Sequence, residues 1–309
     1  MVEQHPFTDR AAWLLLRQKD ITASVAGALL GVHEYQTPYG LWALKTGQIQ
    51  EDAEETPAMR RGRLLEPVAL ALLGEERPEW KVIPNKTYFR DPVHHLGATP
   101  DAFATCPERG MGIVQVKTVE AGIFRRKWVD SETGEVELPL WIAVQAIIEA
   151  HLTGAKWACV AAMVVSHGLD LQVVDVPIHP GIVERIRTAI HEFWNLVESG
   201  QAPDPDYSRD GALLARLMVQ DNGGEIDLSA DNMLPIILEE RERLKAEIKA
   251  NGERCDEIDA EVRAKVGEAQ VGRMPGWKIT LKTQHTKAYT VKERTTRPIR
   301  ITRTKGEAA

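Results

Sequence analysis

Residues 97–119 read GATPDAFATCPERGMGIVQVKTV. The turn sequence CPERGMG separates an extended stretch through Ala102 from a second run, Gly112 to Val119, so the segment predicts two strands and a turn. Side chains alternate along a strand, so Ile113, Gln115 and Lys117 share one face and Val114 and Val116 take the other. Asp101 follows Pro100 at the edge of the first strand, where a hairpin can set it opposite Gln115. A carboxylate, an amide and an ammonium then meet at one sheet edge. Magnesium takes one or two carboxylates with other oxygens and several retained waters. Lys117 could orient or deprotonate a water, or stabilise charge on a phosphate. A surface hairpin carrying a salt bridge is the plain alternative.

Downstream, LPLWIAVQAIIEAHLTG (138–154) returns to helical period, with Leu140, Val144, Ile147 and His151 on one stripe. AKWACVAAMVV (155–165) and LDLQVVDVPI (169–178) predict strands, and HPGIVERIRTAIHEFWNLVESG (179–200) an amphipathic helix stopped at Gly200. Upstream, WKVIPNKTYFR (80–90) and HLGATPDAFAT (95–105) each predict one strand. MRRGRLLEPVALALLGEE (59–76) predicts a helix with Pro67 in its first turn or at a kink. Residues 51–58, EDAEETPA, predict an acidic linker, and Asp9 to Gly47 helical segments joined by a turn.

QAPDPDYSRDG (201–211) marks a boundary, which divides the chain into 1–208 and an extension, 209–309. In the extension Ile237, Leu244, Ile248, Cys255, Ile258 and Val262 follow heptad-like spacing. Arg241, Asn251 and Gly252 interrupt that seam, which predicts a short helical hairpin rather than a long coiled coil. GWKITLKTQHTKAYTV (276–291) alternates like a strand and leads into a basic tail.

The formal net charge is -7, yet Arg273 to Lys305 holds ten Lys or Arg against one acidic residue, Glu293. An acidic body with a basic tail suits a DNA enzyme whose contacts are local. The longest apolar run, WACVAAMVV, falls far short of the roughly 20 residues of a membrane span. No signal peptide is evident at the start, and a cytoplasmic protein is expected. The three cysteines, Cys106, Cys159 and Cys255, form no CxxC and read as ordinary small residues. His94 and His95, as neighbours on a strand, would point to opposite faces and cannot readily chelate one ion. Phosphate loops of the GK[ST] kind and a GxSxG elbow are absent.

The order helix, three strands, helix, strand from Arg61 to Val165 resembles the core of the PD-(D/E)xK nuclease superfamily. More closely, the chain resembles the YqaJ-type phage recombination nucleases, relatives of lambda exonuclease. ITASVAGALLGVHEYQTPYGLWALKTG (21–47) looks like that family's opening signature, and RRGRLLEP (60–67) like its glycine-then-glutamate helix. GATPDAF (97–103) is similar to its metal-binding aspartate block, QVKT (115–118) to its carboxylate-x-lysine strand, and VQAIIEAHLTG (144–154) to its glutamine helix. The resemblance implies an α/β (α+β) fold with a restriction-endonuclease-like central mixed sheet flanked by helices, plus a C-terminal helical and β extension.

By that resemblance Asp101 is a metal ligand, Lys117 the catalytic lysine and Glu66 a further acidic residue beside the metal. Gln115 and the backbone carbonyl of Val116 join the metal shell, and Gln145 lines the site. Ser24, with Arg17 and Arg61, contacts the DNA phosphate. Gln115 departs from the pattern, since the family usually carries Glu there. Local alternatives stand beside these roles: a turn-forming Asp101, an edge Lys117, a Glu66 paired with Arg60 or Arg63, a core amide at 145 and a capping Ser24.

The implied activity is a Mg²⁺-dependent deoxyribonuclease, with Mn²⁺ as a substitute, cutting double-stranded DNA ends 5′ to 3′ in phage-type recombination. The implied partners are a single-strand annealing protein and further copies of the chain in a ring trimer. The implied setting is a bacterial host carrying a phage or prophage. An endonuclease on the same core and a non-catalytic DNA-end-binding module are the two rivals.

Overall fold

Strand alternation around residue 115 decides the layering. In a computed structural model of the protein, which describes residues 1–7, 9–50, 55–288, 290–291 and 293–303, the elements run as follows. A first group comprises β1 (Glu3–Pro6), α1 (Arg10–Gln18), β2 (Ile21–Thr22), α2 (Ala23–Ala26), α3 (Pro38–Lys45) and α4 (Pro57–Glu76). Then come β3 (Lys81–Pro84), β4 (Thr87–Asp91), β5 (Leu96–Ala98), β6 (Ala102–Cys106), β7 (Gly110–Glu120), α5 (Ala121–Lys127) and α6 (Leu140–Thr153). β8 (Ala158–Val165), β9 (Leu169–Val176), α7 (Pro180–Ser199), α8 (Gly211–Leu217), α9 (Leu234–Val266), β10 (Val271–Met274) and β11 (Trp277–Thr280) complete the order.

The larger sheet has the order β3-β6-β7-β8-β9. Its neighbours are antiparallel except β7 and β8, which are parallel and joined through α5 and α6. Two strands running the same way need such a crossover, and a helix supplies it. Ile113 packs with Ile142, Ala146 and Ala150 of α6, whereas Val114 and Val116 pack with Ala69, Leu70 and Leu73 of α4. The sheet is thus covered by α6 on the face shared by Gln115 and Lys117, and by α4 on the other. This is the mixed sheet flanked by helices that the resemblance implied. β8, ACVAAMVV, is apolar on both faces, as double coverage requires, whereas β7 interrupts its α6 face with Gln115 and Lys117.

A smaller sheet, in the order β1-β4-β5-β2, stands apart from the five-stranded one. Its existence corrects two expectations. WKVIPNKTYFR and HLGATPDAFAT are not single strands: each splits, into β3 and β4 and into β5 and β6, with the halves in different sheets. Asn85 holds the two breaks together. Its amide donates to the carbonyls of Thr87 (2.9 Å) and Pro100 (3.0 Å), its Oδ1 accepts from Thr87 N–H, and its own N–H donates to Asp101 O (2.9 Å).

Other expectations shift as well. Pro67 lies in the middle of α4 rather than in its first turn, which Pro57 occupies behind the capping Thr56. Pro67 therefore deprives the Arg63 carbonyl of its usual helical donor. Of the acidic linker, residues 51–54 fall outside the described residues, and residues 57 and 58 are already helical. The stripe on α6 is buried only at Val144 and Ile147, with Leu140 and His151 exposed at its ends. His94 and His95 sit in a turn, not a strand, where His94 Nδ1 lies 2.8 Å from Asp91 Oδ2.

The chain clusters into two units, Met1–Leu217 and Met218–Ala309. Residues 206–210 are fastened within the first: Asp210 accepts from the Thr37 hydroxyl (2.6 Å), and Arg209 donates to the carbonyls of His33, Glu34 and Gln36. The second unit holds α9, an unbroken helix of 33 residues where a hairpin was expected. A lone glycine costs a helix only about 1 kcal/mol, and the Lys249–Glu253 pair spans Gly252. Among the described residues of the alternating 276–291 segment, only 277–280 form a strand, paired with β10. No helix among the described residues is long and apolar enough to cross a membrane.

Candidate active site

The register of β6 on β7 pairs Ala102 with Val114, which leaves Asp101 facing Gln115 just beyond the end of the pairing. Asp101 Oδ2 accepts the N–H of Val116 at 2.7 Å. That bond fixes the carboxylate at the point where the chain leaves the sheet, the local consequence of the break that Asn85 holds. Lys117 Nζ donates to Gln145 Oε1 at 3.0 Å, and Gln145 Nε2 donates to Glu149 Oε1 at 2.8 Å. The ring of Trp141 lies 5.4 Å from the same ammonium, within reach of a cation–π contact. Glu66 reaches the group from α4.

Glu66, Asp101, Gln115, Gln145 and Glu149 line one cleft of about 670 Å³, which Lys117 adjoins through Gln145. Trp13, Arg17, Thr22, Ser24 and Thr99 form its other wall. Arg17 stacks over Trp13 at 4.1 Å and donates to Ser24 Oγ (3.4 Å), while Trp13 Nε1 donates to Thr99 Oγ1 (3.0 Å). Ser24 is not the cap of α2, a place taken by Thr22. Of the expected site residues, Glu66, Asp101, Gln115, Gln145, Ser24 and Arg17 line the cleft, Lys117 and Val116 adjoin it through Gln145 and Asp101, and Arg61 is exposed on α4 and outside it. Arg63 lines the cleft instead and pairs with Glu55 at 2.7 Å rather than with Glu66.

Burial sets the protonation of the group. It pushes Asp101 up from 3.8 to about 7, with the Lys117 charge opposing and Glu66 adding to the rise. It pushes Glu149 up to about 8, reinforced by Asp101. Burial raises Glu66 too, against the pull of Lys117. Lys117 is lowered by the same desolvation, although Asp101, Glu149 and Glu66 all favour its charged form. The physical cause is shared: too many ionisable groups and too little water.

The sign follows for stability. Between the ordinary carboxyl values, 3.8 and 4.5, and the raised ones, the folded protein holds protons that the unfolded chain releases. Stability falls with rising pH wherever the native state binds more protons. Without divalent cations, the melting temperature should decline from about pH 4.5 to about pH 8. Melts in EDTA measure it, and the slope should flatten in Asp101→Asn and in Glu149→Gln. A slope equal in all three proteins would show that these carboxyls are not the titrating groups.

A cation site is compatible with the donors present. Gln115 and Glu149 are 4% and 1% exposed, and Gln115 Oε1 and Glu149 Oε2 are buried oxygens with no hydrogen-bond partner among the described residues. Buried oxygens without donors are costly unless something positive faces them. No three His, Cys, Asp or Glu side chains converge into a cage among the described residues. A cation here would therefore take amide oxygen and water beside carboxylate, a donor mixture suited to magnesium.

Sequence reasoning missed three contributors. Glu149 sits one helical turn after Gln145, a spacing that puts both on one face. Trp141 reads as core, and Asn85 as part of an uninterrupted strand.

Residues 12–156 match the model of the YqaJ-like viral recombinase domain. Over 267 residues the chain is 27% identical to the uncharacterized protein YqaJ of Bacillus subtilis (strain 168), covering 85% of this chain and 80% of that protein. Among solved structures, it is similar to an alkaline exonuclease (LHK-Exo) from Laribacter hongkongensis, with 19% identity and a TM-score of 0.49 over 67% of this chain and 100% of that one. A phage related exonuclease from Haemophilus somnus 129PT gives 12% identity and a TM-score of 0.41, over 59% of this chain and 96% of that one. Glu66, Asp101, Gln115, Lys117, Gln145 and Glu149 all fall within the span that matches the YqaJ-like viral recombinase domain.

Proposed function

We propose that this chain is a divalent-metal-dependent deoxyribonuclease that degrades double-stranded DNA from an end, 5′ to 3′, in phage-type recombination. The observation that carries the reading is a desolvated lysine, Lys117, bonded to Gln145 and set among Asp101, Glu66 and Glu149, which line an open cleft. A structural ion pair would have one carboxylate and no cleft. Asp101, Gln115 and Glu66 would hold the cation, with the Val116 carbonyl close by. Bound there, Mg²⁺ or Mn²⁺ supplies Lewis-acid polarisation of a phosphoryl oxygen.

The chain's own groups do the rest. Lys117, lowered by burial, can accept a proton at Nζ from an attacking water when it is the neutral amine, and can stabilise charge on the phosphate when it is the ammonium. Gln145 holds that ammonium in register. Arg17 and Ser24, across the cleft, offer donors to a phosphate at the end of a strand. A terminal phosphate is the feature that separates an end from a continuous duplex. Cooperation with a single-strand annealing protein, assembly into a ring trimer and action in the cytoplasm of a phage-bearing bacterium complete the proposal by family resemblance.

The test is a linear duplex, with and without 5′-phosphate, beside a closed circle, in Mg²⁺, Mn²⁺ or EDTA. Mononucleotides from the linear substrate alone support the proposal. A cut circle would replace it with an endonuclease, and binding without products with a DNA-end-binding module, the reading that Gln115 favours.

The basic tail gives a further expectation. Truncation after Leu217, which keeps the Arg209 and Asp210 fastenings, should leave a folded nuclease with weaker DNA affinity. Its dependence of binding on salt should be shallower, since counterion release scales with the phosphates neutralised. Equal salt slopes for truncated and full-length protein would take the tail off the DNA.

A further inference from the structure

Glu149 is the most deeply buried acid of the cleft, at 1% exposure, on a helix whose neighbouring residues Ile148 and Ala150 are core. One of its oxygens has a donor, Gln145 Nε2 at 2.8 Å, and the other has none among the described residues. A carboxylate serving only the fold would have both oxygens satisfied, because each orphaned buried acceptor destabilises it. Gln115, on the facing strand, presents the second orphaned oxygen of the same cleft wall. Two unpartnered oxygens, one anionic and one neutral, thus border the space beside Asp101. The strand position opposite Asp101 is an amide, and the helix position is an acid.

We propose that Glu149 is a cation ligand, and that it supplies from α6 the negative charge that Gln115 does not carry. Glu149 Oε2 then takes the place given above to Glu66, so the donors are Asp101 Oδ1, Glu149 Oε2 and Gln115 Oε1, completed by water, and Glu66 contributes charge without a bond. Gln145 is a positioning residue: it donates to Glu149 Oε1 and so turns Oε2 toward the cleft, while its own Oε1 receives Lys117 Nζ. The lysine and the helix carboxylate are thereby held by the two ends of one amide. On this assignment the amide at 115 is a consequence of where the charge sits, not a loss of it.

The inference rests on the cleft being a cation site, so the test separates the two. Mn²⁺ binding is measured on the full-length protein by calorimetry and by the electron-spin signal of free Mn²⁺, without DNA. The proteins are wild type, Asp101→Asn, Glu149→Gln, Gln115→Glu and the double variant Gln115→Glu/Glu149→Gln. Wild type should bind, and Asp101→Asn and Glu149→Gln should each lose about tenfold or more in affinity, since cation affinity follows ligand charge. The double variant, with its charge moved from helix to strand, should recover most of that loss. Recovery also shows that Glu149→Gln is not misfolded.

Mn²⁺ binding to Glu149→Gln at wild-type affinity overturns the assignment and leaves the cation site standing on Asp101. A loss in Glu149→Gln that Gln115→Glu does not restore overturns the exchange of charge between the two positions. Absence of binding in wild type removes the cation site itself, and this inference with it.

Discussion

Lys117→Ala should bind duplex DNA ends and leave them uncut. The ammonium is desolvated, packs near Trp141 and is held by Gln145, so the proposed function assigns it to the chemical step rather than to DNA capture. Loss of one positioned proton-transfer group lowers rates by about 10²–10⁴-fold. Asp101→Asn should fall at least as far, because it removes a fixed charge beside the cation and weakens the acceptor of the Val116 N–H. Release of a 5′-labelled mononucleotide measures turnover, and fluorescence anisotropy measures binding. Turnover within tenfold of wild type in either variant would remove Lys117 and Asp101 from the chemistry.

Gly97→Ala should be the most damaging small substitution in the first unit. A Cβ at residue 97 would stand 1.7 Å from the Tyr88 hydroxyl oxygen and 2.3 Å from its ring carbon. The ring has nowhere to go: Tyr88 is fully buried, and its hydroxyl donates to Asp20, which also receives Arg90. Overpacking a core of this kind costs about 3 kcal/mol, a drop of roughly 6–12 °C in melting temperature for a unit of this size. Urea and thermal melts decide it. Wild-type stability in Gly97→Ala would mean that strand β5 does not run against Tyr88.

Much of the site was legible because strand alternation is a local signal. The order Ile113, Val114, Gln115, Val116, Lys117 fixes which side chains face α6 whatever the rest of the chain does. The helix carrying Gln145 was legible for the same reason. What could not be read is where a strand changes sheets. Alternation runs on through Asn85 and through Thr99 to Asp101, and only long-range pairing ends it. The choice between Arg61 and Arg63 likewise depends on how α4 is rotated against the sheet, which its sequence leaves open.

Glu149 escaped notice for a different reason. On a helix, a lone acid among apolar residues reads as a solvated edge, and the one sequence signal against that reading is Gln145, a helical turn earlier on the same face. Gly252 shows the opposite case: a glycine that weakens a helix reads as a helix end, while charge pairs before, across and after it carry the helix through.

Asn85 joins the two places where the chain crosses from one sheet to the other, through bonds to Thr87, Pro100 and Asp101. The crossings are sutured to each other, so the sheets cannot splay along this seam without breaking several hydrogen bonds together. Asp101 is one stitch of that seam. The acidic edge of the cleft is therefore rigid before any ligand arrives, and the cost of arranging it is met during folding rather than at each encounter with DNA. On the proposed function, adaptation to a bent or frayed strand then falls to α1 and the residues around Ser24, which line the same cleft.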